Sequence, residues 1–400
     1  MSPTARFIVD SDSHVVEPRD LWTSRMSKAK WGDLIPEVRS VKGEGEYWFV
    51  RGQRLWDVNG AGVMVSDAYG KPVRNADYPQ FVNTFDEMHP SEYDGKERVK
   101  VLDEYGIYAA ALFPNLGFVS ADVYGRGNPA EYKTEALQAY NDHILEWASV
   151  APGRLLPMAC LPYWDADAAV AEIERLAETG GYHGLVTTGM PQLHSMPVLT
   201  SHYWDDMWAA AQESGLSINF HVGGGNVDDW VNQERLEVEG FRVCFTRAIT
   251  GGPQFAGITL NDLLMSGVLP RYPRLKFVMT ESGFGHITFC LEALDYAFKK
   301  MEVWKDRPEF EKDGMLPSDY FKRQVYANFW FEEVTPWHLE RLGEDNLMFE
   351  TDFPHTTSII GDEIPAALDH CIGNLPDDAF QKLAWENAAK VYNVDLPVSS

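Results

Sequence analysis

Basic side chains and cysteines are both scarce in this 400-residue chain. The 34 Lys and Arg residues face 60 Asp and Glu residues, which gives a formal net charge of −26. Nucleic-acid binding depends on clustered positive charge, so the composition argues against a nucleic-acid partner. The four cysteines are widely spaced and form no Cys-x-x-Cys pair. This spacing argues against a disulfide framework or a thiolate zinc site and is typical of reduced cysteines.

Long apolar runs and nucleotide-binding motifs are also missing. The longest nearly uncharged stretch, residues 106–119, is interrupted by Pro114 and Asn115 and is too short to span a bilayer. The first residues become acidic before the apolar core of a signal peptide can form. Neither GxGxxG nor GxxxxGK[ST] occurs. We therefore expect a cytoplasmic protein that has no membrane partner and no nucleotide-binding loop.

Short apolar segments alternate with amphipathic helical patterns along most of the chain. Repeated β–α units predict a parallel sheet, and eight units favour a (β/α)8 TIM barrel over an open doubly wound sheet. The predicted fold class is therefore α/β. The eight strands are predicted near residues 7–9, 109–113, 155–161, 184–186, 216–220, 275–279, 325–331 and 347–349.

One connection is much longer than the others. About ninety residues separate the first strand from the next long helix, which is too many for an ordinary loop. Within this stretch the pattern of residues 47–56 predicts a β-hairpin. We predict one domain over residues 1–400, with an insertion at about residues 30–95 over one end of the barrel. The aromatic side chains of the insertion either form a lid or simply pack it onto the barrel.

Candidate metal ligands follow four of the predicted strands, at the end where barrel enzymes carry their active sites. The first strand leads into Asp12 and His14, which point the same way because they are two residues apart in an extended chain. Strands five, six and eight lead to His221, Glu281 and Asp352. Each residue alone is commonly a cap or a structural residue. Together they favour a bound cation, because burying several acids without one is unfavourable.

These motifs resemble the amidohydrolase-2 family, metal-dependent barrel hydrolases and decarboxylases similar to aminocarboxymuconate-semialdehyde decarboxylase. The resemblance starts with the sequence DSDSHVVEP at residues 10–18 and covers most of the chain apart from the insertion and residues 225–255. The other matching segments are residues 139–142, 154–157, 221, 281–283, 351–355 and 386–389.

The resemblance implies a role for each candidate ligand. Asp12 and His14 would bind the metal from the first strand, and His221 would bind it from the fifth. Asp352 would be both a ligand and a proton acceptor. Decarboxylating members often carry histidine where this chain has Glu281, so Glu281 would bind the metal or share the acid–base work.

Two further histidines lie near these motifs. His286 and His355 are each either a ligand or a supporting residue, and His355 is also a third catalytic candidate beside Asp352 and Glu281. An acidic substrate also requires a cation, and the loop candidates are Arg51, Arg54, Arg242 and Arg247. The residues alone do not choose among these four.

Three functions stay open at this point. The first is a hydrolase or non-oxidative decarboxylase that acts on a small cyclic or aromatic carboxylic acid with one zinc, manganese or iron ion. The second is a non-haem oxygenase with two iron ions that hydroxylates a bulky apolar substrate. The third is a binding protein without catalytic activity. The family resemblance also implies a homodimer with a small-molecule substrate.

Overall fold

The computed structural model describes residues 7–115, 127–222, 232–312 and 314–397. Its β-strands are β1 (Ile8–Val15), β2 (Glu37–Val41), β3 (Gly45–Val50), β4 (Gln53–Asp57), β5 (Met64–Ser66), β6 (Pro72–Arg74), β7 (Ile107–Pro114), β8 (Leu155–Cys160), β9 (Gly184–Val186), β10 (Ser217–His221), β11 (Phe277–Thr280), β12 (Val325–Phe329) and β13 (Leu347–Phe349).

Helices alternate with the strands of the main sheet. The α-helices are α1 (Leu21–Arg25), α2 (Lys28–Trp31), α3 (Gly95–Tyr105), α4 (Ala130–Ala148), α5 (Ala166–Thr179), α6 (Asp205–Ser214), α7 (Gln233–Glu239), α8 (Phe241–Met265), α9 (Val268–Arg271), α10 (Gly285–Met301), α11 (Pro317–Gln324), α12 (Pro336–Leu342), α13 (Glu363–Ile372), α14 (Asp377–Gln381) and α15 (Asn387–Val391). A π-helical turn, Lys382–Glu386, joins α14 to α15.

Eight parallel strands form the main sheet in the order β1-β7-β8-β9-β10-β11-β12-β13. The first and last strands meet just beyond β13. There the Asp352 amide donates to the Asp12 carbonyl at 3.0 Å, and the His14 amide donates to the Phe353 carbonyl at 2.7 Å. These contacts close the sheet, so the predicted (β/α)8 barrel is confirmed. In the described part of the chain, no helix is both long enough and apolar enough to cross a bilayer.

Strand β1 is longer than the sequence pattern indicated. The apolar run ends at Val9, but the strand continues to Val15 with all eight residues buried. Polar residues are tolerated here because they find partners: Asp10 accepts hydrogen bonds from the Thr351 amide at 2.8 Å and hydroxyl at 2.6 Å. The polar half of β1 therefore lies inside the barrel.

The segment predicted as an insertion builds two small antiparallel sheets outside the barrel. Strands β2, β3 and β4 form one sheet, and β5 pairs with β6 in the other. The hairpin predicted in residues 47–56 is present, with Phe49 opposite Arg54. Trp48 is buried, and its ring packs edge-on against Trp22 at 4.9 Å. This aromatic side chain therefore packs β3 onto the barrel, while the division of the chain into one domain with an insertion stays a prediction.

Candidate metal centre

Five side chains converge at the carboxyl end of the barrel. His14 Nε2 lies 3.5 Å from Asp12 Oδ1 and 3.4 Å from Asp352 Oδ1. His221 Nε2 lies 3.2 Å from Asp12 Oδ2, and its Nδ1 lies 3.8 Å from Glu281 Oε2. The structure therefore brings together all five residues that the sequence predicted as ligands.

The donor atoms lie close enough together to hold a divalent cation. His14 Nδ1 donates to the Pro114 carbonyl at 3.0 Å, and His221 Nδ1 donates to the Val222 carbonyl at 2.8 Å. A carbonyl only accepts hydrogen bonds, so each Nδ1 carries a proton, and each Nε2 is the ring nitrogen that faces the carboxylates and could bind a cation. Both Asp12 oxygens are buried and accept no hydrogen bond from the described residues. These residues fit a divalent cation.

Ligand atoms fall into three overlapping groups, in each of which all atoms lie within 4.8 Å of one another. Each group contains three residues, and Asp12, His14 and Asp352 each belong to two groups. The groups are Asp12, His14 and His221; His14, Asp352 and His355; and Asp12, Glu281 and Asp352.

Burial and mutual repulsion dominate the electrostatics of the centre. Burial raises the pKa of Asp12 well above its usual value, and the charges of Asp352 and Asp10 raise it further. Burial and Asp352 likewise raise the pKa of Glu281, against the lowering effect of His221. Burial lowers the pKa of His14 to about 3, so this imidazole is neutral at neutral pH. A bound cation would stabilise the neutral His14 ring and the crowded carboxylates together.

Two of the acidic residues have an unusual backbone conformation. Glu281 and Asp352 have φ angles of +53° and +55°, in the left-handed region. Side chains other than glycine adopt this region at a cost of about 1–2 kcal/mol. Glu281 comes directly after β11 and Asp352 lies three residues beyond the end of β13, so both carboxylates are at the carboxyl end of the barrel. Strain at two facing positions is typical of a functional site.

His355 lies beside the centre, while His286 lies apart from it. His355 Nδ1 is 2.9 Å from Asp352 Oδ1, and its ring stacks on that of His14 with centroids 3.9 Å apart. The His286 side chain instead packs close to Gly257 of α8. Among the described residues, His286 belongs to none of the groups that could hold a metal ion.

The candidate arginines contact other parts of the protein. Arg54 pairs with Glu44, and Arg247 pairs with Glu239. Arg242 donates to the Tyr78 carbonyl at 2.8 Å. These contacts give no support to the three side chains as substrate ligands. Arg51 occupies the hairpin turn between β3 and β4 with a φ of +53°.

Sequence reasoning missed a buried arginine behind β1. Arg98 of α3 is fully buried and donates to the His14 carbonyl at 2.6 Å and to the Ser13 hydroxyl at 2.7 Å. It therefore fixes the backbone that carries one candidate ligand. In the sequence it is one of several charged residues in an amphipathic helix, and nothing in the pattern marks it as buried.

Two acids buried near the centre, Glu92 and Asp10, should make the stability of the protein depend on pH. Burial raises the pKa of Glu92 to about 8, although Asn59 and Arg98 lower it, and burial raises the pKa of Asp10 to about 7. The ordinary values are about 4, so the folded protein holds protons that the unfolded chain has released. The metal-free protein should therefore lose stability as pH rises through these folded values. Burial lowers the pKa of His14, so below about pH 6.5 this histidine makes the free energy of unfolding rise with pH and opposes the effect of the two acids. We therefore expect the net loss of stability between about pH 6.5 and 8.

The melting temperature of chelator-treated protein, measured across this range, tests the expectation. Glu92→Gln removes one titrating group and should flatten the decline. Glu87→Gln, an exposed substitution nearby, should leave it unchanged. Equal slopes in wild type and Glu92→Gln would contradict the assignment.

The fold and centre together define a class of protein. The chain belongs to the amidohydrolase family, whose family model matches residues 10–394. Among characterised relatives, the gamma-resorcylate decarboxylase of a Polaromonas species is 24% identical over 313 residues, which cover 74% of this chain and 87% of the relative. The family membership inferred from the sequence motifs is therefore confirmed.

Solved structures share the same fold. An amidohydrolase from Mycobacterium avium subsp. paratuberculosis superposes with a TM-score of 0.72 at 18% identity, over 96% of this chain and 99% of that one. A dihydroxybenzoic acid decarboxylase from Polaromonas, solved with bound manganese and the inhibitor 2-nitroresorcinol, gives a TM-score of 0.63 at 17% identity over 98% of both chains.

Proposed function

We propose that this protein is a metal-dependent, non-oxidative decarboxylase of a small aromatic carboxylic acid. The observation that carries the proposal is the convergence of two imidazoles and three carboxylates at the mouth of an amidohydrolase barrel. The gamma-resorcylate decarboxylase relative supports the reaction class. The manganese in the Polaromonas structure supports a divalent ion as cofactor.

The proposed ligands are Asp12, His14, His221, Glu281 and Asp352. This set of nitrogen and oxygen donors suits manganese, zinc or iron. When bound, the ion would polarise and orient the oxygens of the substrate. The substrate is expected to be an anion, and the chain as a whole is strongly negative. Attraction of the substrate must therefore be local to the centre.

Asp352 and His355 are the proposed proton carriers. Decarboxylation breaks the bond between the ring carbon and the carboxylate, releases carbon dioxide and replaces the lost group with a proton. The 2.9 Å contact between His355 Nδ1 and Asp352 Oδ1 lets the pair share the proton that the ring carbon receives. Glu281, across the centre, is the alternative proton carrier if it does not bind the metal. We also propose a homodimer, which follows from the family resemblance alone.

Metal analysis combined with an activity assay tests this function. Protein purified without oxygen and loaded with manganese, zinc or iron should hold about one ion per chain and release carbon dioxide from gamma-resorcylate or a related hydroxybenzoate. Two iron ions per chain with oxygen consumption would instead favour the oxygenase hypothesis. Bound metal without turnover of any hydroxybenzoate would contradict the decarboxylase proposal.

His221→Ala should reduce the metal content from about one ion per chain to nearly none, because it removes the Nε2 donor that faces Asp12. His202→Ala is a matched control, since His202 is exposed and pairs with Asp205 at the surface. Elemental analysis of both variants checks the result. Full metal occupancy in His221→Ala would remove His221 from the ligand set.

A further inference from the structure

His355 is bound at both of its ring nitrogens. Nδ1 lies 2.9 Å from Asp352 Oδ1, and Nε2 lies 2.9 Å from Asn115 Oδ1. One ring face also stacks on His14. The stacking fixes the plane of the ring, and the two polar contacts fix its rotation within that plane. Asn115, the residue directly after β7, is therefore one of the groups that determine where Nδ1 points.

The orientation of the Asn115 amide is itself determined. Its Nδ2 donates to the Asn59 carbonyl at 2.6 Å. The flipped amide would place two acceptor oxygens against each other at that distance, so the hydrogen-bond network assigns Oδ1 to the His355 side. Because Oδ1 only accepts, His355 Nε2 must carry the proton. Nδ1 is consequently the ring nitrogen that faces Asp352 Oδ1.

Further contacts tie the loop that carries His355 to residues 59–63. Gly62 and His355 form an antiparallel bridge, and the Val63 amide donates to the Pro354 carbonyl at 3.3 Å. Gly60 has a φ of +60°, and a Cβ at this position would lie 2.9 Å from Asn115 Nδ2. Residues 59–63 thus hold Asn115 from one side and the His355 loop from the other.

We infer that Asn115 is a positioning residue, which acts through His355 and is oriented by the Asn59 carbonyl. It sets the ring orientation and the proton position of the histidine that serves Asp352. The expected effect of Asn115 on turnover rests on the proposed decarboxylase function. Its expected effect on the orientation of the His355 imidazole does not. It also gives residues 59–63 a direct role in the site.

A double-mutant cycle on kcat tests the inference. Asn115→Ala alone should lower kcat by about 10- to 100-fold, the usual effect of removing a partner that orients a catalytic group, while KM and metal content change little. In the His355→Ala background, Asn115→Ala should have almost no further effect, since the residue through which it acts is gone. Additive effects in the double mutant would overturn the inference.

A control variant and an NMR measurement distinguish a positioning role of Asn115 from a general destabilisation of the fold. Asn83→Ala also removes a side-chain hydrogen bond to the backbone in residues 30–95, to the Glu44 carbonyl at 2.6 Å, and should leave kcat unchanged. Imidazole ¹⁵N NMR of the zinc-loaded protein should show a proton on His355 Nε2 in wild type and a loss or shift of that signal in Asn115→Ala. An identical His355 ¹⁵N signal in wild type and Asn115→Ala would overturn the inference, whether or not the protein decarboxylates a hydroxybenzoate. Absence of turnover by itself would contradict only the decarboxylase proposal.

Discussion

Asp352→Asn should lower kcat for decarboxylation by about 10²- to 10⁴-fold, the range of a lost general acid or base. Asparagine cannot carry the shared proton, so His355 Nδ1 would lose its carboxylate partner. The backbone should not be responsible for the effect, because asparagine tolerates the left-handed conformation that Asp352 adopts at φ +55°. Steady-state kinetics of the metal-loaded variant measures the change.

Metal occupancy must be determined in the same samples, because Asp352 is also a proposed ligand. A loss of kcat that exceeds any loss of metal would separate the proton-transfer role from metal binding. Asp362→Asn makes the same chemical change at an exposed position ten residues away and should leave kcat unchanged. Retention of more than about one-tenth of the wild-type kcat by the fully loaded Asp352→Asn protein would contradict the proposed role.

Asp12→Asn should change stability in opposite directions with and without metal. In the metal-free protein Asp12 is a fully buried acid whose charged form is disfavoured by burial and by neighbouring acids. Asparagine removes that charge and offers an amide hydrogen to the His221 Nε2 electron pair 3.2 Å away, so the melting temperature of the metal-free protein should rise by a few degrees. The stabilisation that saturating metal gives the wild type, about 4 kcal/mol at 1,000 times Kd, should largely disappear.

Calorimetry or circular dichroism with and without saturating manganese measures both effects. We expect Asp12→Asn to lower the affinity for metal at least about 100-fold. Substitution of a residue that only hydrogen-bonds to a ligand has a smaller effect. Asp33→Asn, an exposed change near the start of the chain, controls for altered net charge. Equal stabilisation of wild type and Asp12→Asn by metal would show that Asp12 is not a ligand.

The barrel was predictable from the sequence because its strands are short apolar runs that recur with helices between them. Strands β9 and β13 have the predicted bounds. From the sequence pattern a helix is predicted near residues 259–265, and none is predicted between residues 301 and 325 or between residues 349 and 377. In the structure α8 already begins at Phe241, because the helix continues through Pro253, and α11 and α13 occupy the two segments without a predicted helix. Packing against the barrel determines such elements, and local patterns do not show it.

The five candidate ligands were predictable because each lies in the last part of a strand or just beyond it, at the mouth of the barrel. Spacing of two residues was enough to place Asp12 and His14 on one side of β1. Asn115 and Arg98 could not be found in this way, since their partners Asn59, His355 and His14 are far away in the sequence. Their roles depend on tertiary contacts that no local motif encodes.

The closure of the barrel also bears on the order in which the centre is assembled during synthesis. Asp12 and Asp352 meet through a hydrogen bond between segments about 340 residues apart in the chain. Contacts of such long range form late in folding, because the entropy of closing the intervening chain must be overcome first. A ribosome-bound chain that has not yet extruded residue 352 lacks one of the five proposed ligands and the segment that closes the barrel. The complete five-residue centre therefore forms only after nearly the whole polypeptide has emerged, although the group Asp12, His14 and His221 is synthesised earlier.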